Sequence, residues 1–335
     1  MKPFIIFFIC LIFSSCKEKP GPYMGDTKVF AKGADVSWLT EMEASGKKFY
    51  NTSGVQTECL ALLQSLGVNT IRLRVWVNPA NLWNSKQDVL AKAIRAKNLG
   101  MLLMIDFHYS DTWADPGHQT KPAAWATQGI DELKSSLAFH TTDVLNMLKA
   151  NGITPYWVQV GNETNDGLLW PEGKASVNMA NYAALINSGY DAVKSVFPNT
   201  KVIVHLSNGW DNGLFRWNFD GLQSYHAKYD VIGLSLYPSA GNWQQLNYQC
   251  LANMNDMVSR FNKEVMIVEA GMPWDDAQSC KSFLEDIIAK TKSVNQSKGL
   301  GVLYWEPEAY GQWQGYTLGA FDNSGKPTSA LEAFQ

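Results

Sequence analysis

From Ala31 onward, eight short runs rich in apolar and β-branched residues recur down the chain, each separated from the next by a stretch of helical character. They read "AKGADVSW" (31–38), "TIRLRVWV" (70–77), "MLLMIDFHY" (101–109), "YWVQVGNE" (156–163), "KVIVHLSN" (201–208), "DVIGLSLYP" (230–238), "EVMIVEAG" (264–271) and "GVLYWEPE" (301–308). Strands that are apolar on nearly every residue are buried on both faces, and such strands pair in parallel beneath covering helices. The intervening segments supply those helices. Val55, Cys59, Leu62 and Leu66 recur at helical spacing before Gly67, and Leu133, Leu137, Val144 and Leu148 do so before Gly152. A later helix carries Phe283, Ile287, Ile288 and Val294. Eight such repeats predict a single α/β domain over 29–335, a closed (β/α)8 TIM barrel. The open doubly wound sheet is the rival, but no Gly-rich dinucleotide turn follows the first run.

The N-terminus, "MKPFIIFFICLIFSSCKEKP", has one Lys, then an apolar run from Phe4 to Phe13, then Ser14-Ser15-Cys16. A membrane-spanning helix needs about 20 apolar residues, so this run is a signal segment rather than a span. It resembles a bacterial lipoprotein signal, which implies removal of residues 1–15 and a lipidated Cys16, followed by a flexible tether over 16–28. An ordinary secretory signal with an incidental cysteine is the alternative. Lys17 resembles the sorting pattern of the outer membrane, implying a lipid-anchored protein at the outer membrane or cell surface of a Gram-negative bacterium, in contact with membrane only through the anchor. Beyond this segment, Cys59, Cys250 and Cys280 are too few and too odd in number for a disulfide framework. Cys59 falls on the apolar face of a helix; Cys250 and Cys280 either pair or stay as thiols.

A net charge of −3 with scattered basic residues argues against a nucleic-acid groove, which needs clustered cations. Thirteen tryptophans point instead to a neutral ligand with flat apolar faces. In a (β/α)8 barrel the chemistry stands at the C-terminal ends of the strands. Those ends present Asp35 and Trp38; Arg72, Arg74 and Trp76; Asp106, His108 and Tyr109; Asn162 and Glu163; His205 and Asn208; Tyr237; Glu269; and Trp305, Glu306 and Glu308. Carboxylates, amides and indoles at this density make poor core and good sugar-binding material.

Glu163 and Glu269 end the fourth and seventh runs, which a closed barrel sets opposite one another across its mouth. Paired carboxylates are the minimal machinery of glycoside hydrolysis, one donating a proton to the leaving oxygen and the other serving as nucleophile or base. Asn162, beside Glu163, is placed to bond the hydroxyl next to the reacting carbon. Glu163 is then the acid/base with a raised pKa, and Glu269 is expected to stay ionised beside Arg72. Arg72 and Arg74 share one strand face, so one orients Glu269 and the other braces the interior.

The segments "GADVSWL", "GVNTIRLRVWVNP", "DFHYSDTWADPGHQTKPAAW", "VQVGNETNDGLLWPEG" and "YWEPE" together resemble the endo-β-1,4-galactanases of glycoside hydrolase family 53, from Gly33 to the C-terminus. The resemblance implies endo-hydrolysis of β-1,4-galactan, including the arabinogalactan side chains of pectin, by a retaining double displacement. Glu163 would be acid/base and Glu269 nucleophile, their carboxyl groups about 5 to 5.5 Å apart. Arg72, His108, Asn162, Tyr237 and Trp305 would line the subsite at the cleaved bond, with Asp111 and Trp113 in the loop after the third strand. Trp113, Trp170 and Trp210 either stack on sugar or pack loops. No cofactor is implied and a monomer is expected. Bacterial relatives can hold calcium beyond the nucleophile, but the short "EAGMPWDDAQSC" argues against it here, and no metal ligands are assigned. Other departures are "YWEPEAYGQW" at the eighth strand and Thr164, where the family more often has an aliphatic residue. The remaining readings are another β-glycanase, acting on mannan, xylan or glucan, and a surface glycan-binding protein without turnover.

Overall fold

The computed structural model describes residues 29–335; the expected signal segment, Cys16 and tether lie outside the described residues. Strands β1 (Ala31–Asp35), β2 (Thr70–Val75), β3 (Leu102–Phe107), β4 (Trp157–Val160), β5 (Lys201–Leu206), β6 (Val231–Leu236), β7 (Glu264–Ala270) and β8 (Gly299–Trp305) close in sequence order, every pair parallel. The expected TIM barrel is thus the fold. Its outer layer holds α1 (Leu39–Ala44), α2 (Cys59–Ser65), α3 (Lys86–Asn98), α4 (Ile130–Ala150), α5 (Met179–Val196), α6 (Asn212–Ser224), α7 (Trp243–Phe261) and α8 (Ala277–Lys292). Two helices follow β1, and after β8 the place of a helix is taken by a 3-10 segment, Ser329–Phe334, packed on α8.

Most strands stop two or three residues before the ends read from sequence, because the residues at the mouth leave the ladder as they turn into loops. Four of them do so with left-handed backbone: Tyr109 (φ 50°), Glu163 (φ 44°), Asn208 (φ 51°) and Glu306 (φ 48°). Non-glycine residues are held in that region only where the surroundings dictate it, and such residues gather at functional sites. Two of the expected helices begin or end differently. Glu58 caps α2 with its carboxylate on the Ala61 N–H, leaving Val55 outside the helix and mostly exposed, and Val294 lies just past α8.

The barrel interior is divided by height. At the N-terminal end Ala31, Leu102, Met104, Trp157, Ile203, Val231, Met266 and Leu303 form a dry plug. It is tight beside Gly33, where a Cβ would stand 2.3 Å from Leu303 Cγ, an overpacking that costs about 1–3 kcal/mol in a tight core. Above the plug, the same strand faces turn polar and carry the site. Buried apolar side chains between strands and helices form the second, larger core. Cys59, Cys250 and Cys280 all lie in it as free thiols, so Cys250 and Cys280 do not pair.

Candidate active site

Arg72 is the centre of the mouth. Alternation on β2 turns Thr70, Arg72 and Arg74 inward and Ile71, Leu73 and Val75 toward the helices. The Arg72 guanidinium, wholly buried, reaches Asp35 of β1 at 2.7 Å, Asp106 of β3 at 2.9 Å and Glu269 of β7 at 2.8 Å. It also donates to Asn162 Oδ1 at 3.0 Å and to Gln159 Oε1 at 3.2 Å. One donor-only side chain thereby ties five strands or strand ends into a single polar cluster. Arg74 takes the bracing role, paired with Glu306 and set 4.3 Å over the ring of Trp113 and 5.1 Å over that of Trp38.

Glu269 owes its direction to an irregularity that pattern reading does not reveal. Met266 and Val268 both point into the plug, so strict alternation would send Glu269 outward. Between β6 and β7 the register jumps from Leu234↔Ile267 to Ser235↔Glu269, skipping Val268. This bulge turns Glu269 into the mouth, the re-aiming for which bulges beside active sites are known. There Arg72 holds its Oε1, and the Tyr237 hydroxyl donates to Oε2 at 2.8 Å.

On the other side, the "GNE" turn positions Glu163. Gly161 has φ 83°, and a Cβ there would stand 2.5 Å from Thr164 Cγ2, so only glycine makes the turn. Thr164 is a buried clasp: its backbone N–H donates to the His205 carbonyl at 2.8 Å and its hydroxyl meets the Tyr182 hydroxyl at 2.8 Å. Glu163, half-buried, accepts from Ser235 Oγ at 2.7 Å. Because Ser235 is also the register partner of Glu269, the two acids share one mouth.

Burial pushes Glu163 up to about 7, against the pull of the Ser235 hydrogen bond and of Arg72. It also pushes Glu269 up to about 8, which corrects the expectation of a low value there. Arg72 divides its charge among Asp35, Asp106 and Glu269, and what reaches Glu269 does not cancel its desolvation and the repulsion from Glu163 and Asp106.

The other sequence candidates divide into those at the subsite and those that build it. His108 Nε2 lies 3.0 Å from Asp106 Oδ2, while Nδ1 accepts from the Ala114 N–H and from Trp76 Nε1. Asn162 gives one N–H to the Ala114 carbonyl at 2.8 Å, fixing its amide with one N–H still to offer. Trp305 and Trp113 are partly exposed and meet Trp38 edge-on, at centroid distances of 5.1 and 5.6 Å, forming an aromatic wall. Asp111 is a loop brace, since its oxygens accept the backbone N–H groups of Asn78 and Ala123, both at 2.9 Å. Trp170 packs its loop, donating its indole N–H to the Asp166 carbonyl with Lys174 over the ring, whereas Trp210 stands 40% exposed. Glu306 and Glu308 are fully buried and belong to the barrel wall. Two residues escaped the sequence reading, Gln159 and Ser235. Each is the one uncharged polar side chain inside an apolar strand, "WVQV" and "VIGLSL", and that interruption is the signal that marks them. Among the described residues, no group of three His, Cys, Asp or Glu is arranged to hold a metal ion.

The profile of glycosyl hydrolase family 53 matches residues 31–334, every strand included. The chain belongs to this family. An arabinogalactan endo-beta-1,4-galactanase of Thermothelomyces thermophilus is 35% identical over 333 residues, covering 91% of this chain and 98% of that one. Among solved structures, one from a study of two fungal beta-1,4-galactanases superposes with a TM-score of 0.85 at 34% identity, over 92% of this chain and 99% of the other. The GH53 catalytic domain of Ignisphaera aggregans gives 0.83 at 28% identity, over 95% and 98%. This family 53 member is therefore a glycosidase.

Proposed function

We propose that this glycosidase is an endo-β-1,4-galactanase that cuts galactan and arabinogalactan side chains of pectin by a retaining double displacement. The observation that carries the reading is the pair of acids at the barrel mouth with unequal partners. Glu269 receives two donors, one of them the permanently charged Arg72, whereas Glu163 receives a single neutral hydroxyl. The two raised acids titrate as one pair that shares a proton; in the reactive form that proton is on Glu163 and the electron pair available for attack is on Glu269, the side that Arg72 favours. In the first step Glu269 bonds to the anomeric carbon as Glu163 gives its proton to the departing glycosidic oxygen. In the second, Glu163 takes a proton from water, which attacks the same carbon and frees Glu269. Asn162 offers its remaining N–H to the hydroxyl beside that carbon, and Trp305 and Trp113 supply flat apolar surface to the sugar face.

The 35% identity to the named arabinogalactan galactanase supports galactan over other β-glycans. Side-by-side assays on debranched pectic galactan, mannan, xylan and β-glucan test it: reducing ends should appear from galactan, and preferential release from another polymer would overturn the reading. Binding without release would make the protein a glycan-binding module.

The acid shifts give a pH prediction. The pair, raised to about 7 and about 8, takes up a second proton as pH falls and gives up its last one as pH rises, and only the singly protonated pair is competent. A bell-shaped kcat/KM centred near neutrality should result. A bell centred in the ordinary carboxylate range, about pH 4, would contradict it.

For the N-terminus, "IFSSC" and Lys17 support lipid attachment at Cys16 and an outer-membrane or cell-surface location, with the segment to residue 28 as tether.

A further inference from the structure

Between the two acids runs a line of buried side chains that the double displacement leaves unused. Arg72 Nη2 donates to Gln159 Oε1 at 3.2 Å, Gln159 Nε2 lies 2.8 Å from His205 Nδ1, His205 Nε2 lies 2.8 Å from Ser235 Oγ, and Ser235 Oγ lies 2.7 Å from Glu163 Oε1. Gln159, His205 and Ser235 are all buried, and Arg72 continues the line to Glu269.

We propose that Gln159, His205 and Ser235 form a one-way hydrogen-bond chain that starts at Arg72 and fixes which oxygen of Glu163 carries the catalytic proton. The direction follows from the donors. Arginine has no acceptor, so the Gln159 oxygen must face it and the Gln159 amide nitrogen must face His205. A second donor, the Glu163 backbone N–H, converges on the same His205 Nδ1 at 3.3 Å. Asn162 Oδ1 is 3.0 Å from that nitrogen, but it already accepts from Arg72 and Gln159. His205 Nδ1 is therefore the acceptor and Nε2 bears the hydrogen, which points at Ser235 Oγ. The single hydrogen of Ser235 is left for Glu163 Oε1. Burial, with Arg72 and His108 nearby, keeps His205 well below its ordinary range, so the imidazole stays neutral and the chain keeps its direction.

Two consequences follow for Glu163. Its Oε1 is an acceptor in either protonation state, so the acid proton sits on Oε2, and Oε2 is the atom that protonates the leaving oxygen. The hydroxyl also stabilises the carboxylate form, which Glu163 must reach once per turnover although burial opposes it. The charged and titratable groups facing Glu163 are Arg72 from β2, Asp106 from β3, Asp115 from the following loop, His205 from β5, Tyr237 beyond β6 and Glu269 from β7. Ser235 is thus a positioning residue, acting through Glu163.

This inference rests on Glu163 being the acid/base. The test compares kcat/KM against pH on β-1,4-galactan for the full-length protein and its Ser235→Ala and Ser235→Thr variants, with thermal unfolding as a check of the fold. Losing a hydrogen bond to a carboxylate raises its pKa, so the alkaline limb of Ser235→Ala should move up by about 1 pH unit. Ser235→Thr, which keeps the hydroxyl, should restore it. An unmoved limb in a folded Ser235→Ala, or a limb equally displaced in Ser235→Thr, would overturn the chain. A separate control guards the underlying reading: if Glu163→Ala cleaves galactan as the unaltered protein does, the acid/base assignment itself fails, whatever the serine variants show.

Discussion

Glu269→Ala should lower kcat on β-1,4-galactan on the order of 10⁵-fold, the scale of loss seen when a covalent nucleophile is removed from a hydrolase. The fold should survive, because the substitution relieves the mouth of one of the three carboxylates competing for Arg72. Asp35 and Asp106 would remain as its partners. Glu163→Ala should behave differently. Its loss falls on the proton transfer, so activity should be retained largely on aryl β-galactosides whose leaving group needs no proton, while galactan cleavage collapses. Steady-state kinetics on both substrates distinguishes the two acids. Robust cleavage by Glu269→Ala, or an equal collapse of both variants on the activated substrate, would reverse or void the assignment.

Arg72→Met should be the most damaging single change to the scaffold. Arg72 is wholly buried and is the cation shared by three carboxylates, and removal of one partner from a buried charge cluster costs about 3–5 kcal/mol because the others are left uncompensated. For a barrel of this size that is a large share of the net stability of roughly 5–15 kcal/mol. Arg72→Lys is not a conservative replacement. A lysine ammonium is one compact donor group, and it cannot span Asp35, Asp106, Gln159, Asn162 and Glu269 as the planar fork does. We expect Arg72→Met to unfold at markedly lower denaturant, and Arg72→Lys to fold with kcat lowered by at least about 10²-fold through loss of Glu269 placement. Near-native stability and activity in Arg72→Met would show that the cluster neither holds the barrel mouth nor orients the nucleophile.

The barrel was legible because burial on both faces writes itself into a strand as an unbroken apolar run, and eight such runs admit few architectures. Glu163 and Glu269 were legible for a related reason: a carboxylate at the end of such a run needs a partner or a task to hold it there, as Arg74 holds Glu306. The same logic hid Gln159 and Ser235, since an uncharged polar residue in an apolar strand costs little to overlook until a partner's distance is known. Direction was less legible than position. Val268 and Glu269 both face inward only because the β6–β7 register slips, and no local pattern announces a slip between strands. Loop roles were the least legible, because chain neighbours in a loop decide them. Asp111, expected in the loop after the third strand, proves to be held by two backbone N–H groups, and Trp170, left open between stacking on sugar and packing loops, proves to be pinned by its own loop. The proton affinity of Glu269 was misjudged because sequence places Arg72 beside it without revealing that Asp35 and Asp106 claim the same guanidinium.

The anomeric form of the first products released from linear β-1,4-galactan, followed by proton NMR before mutarotation, tests the paired-acid account most directly. New reducing ends should appear as the β anomer and drift toward equilibrium. First products in the α form, or no products from galactan while another β-glycan is cut, would contradict it.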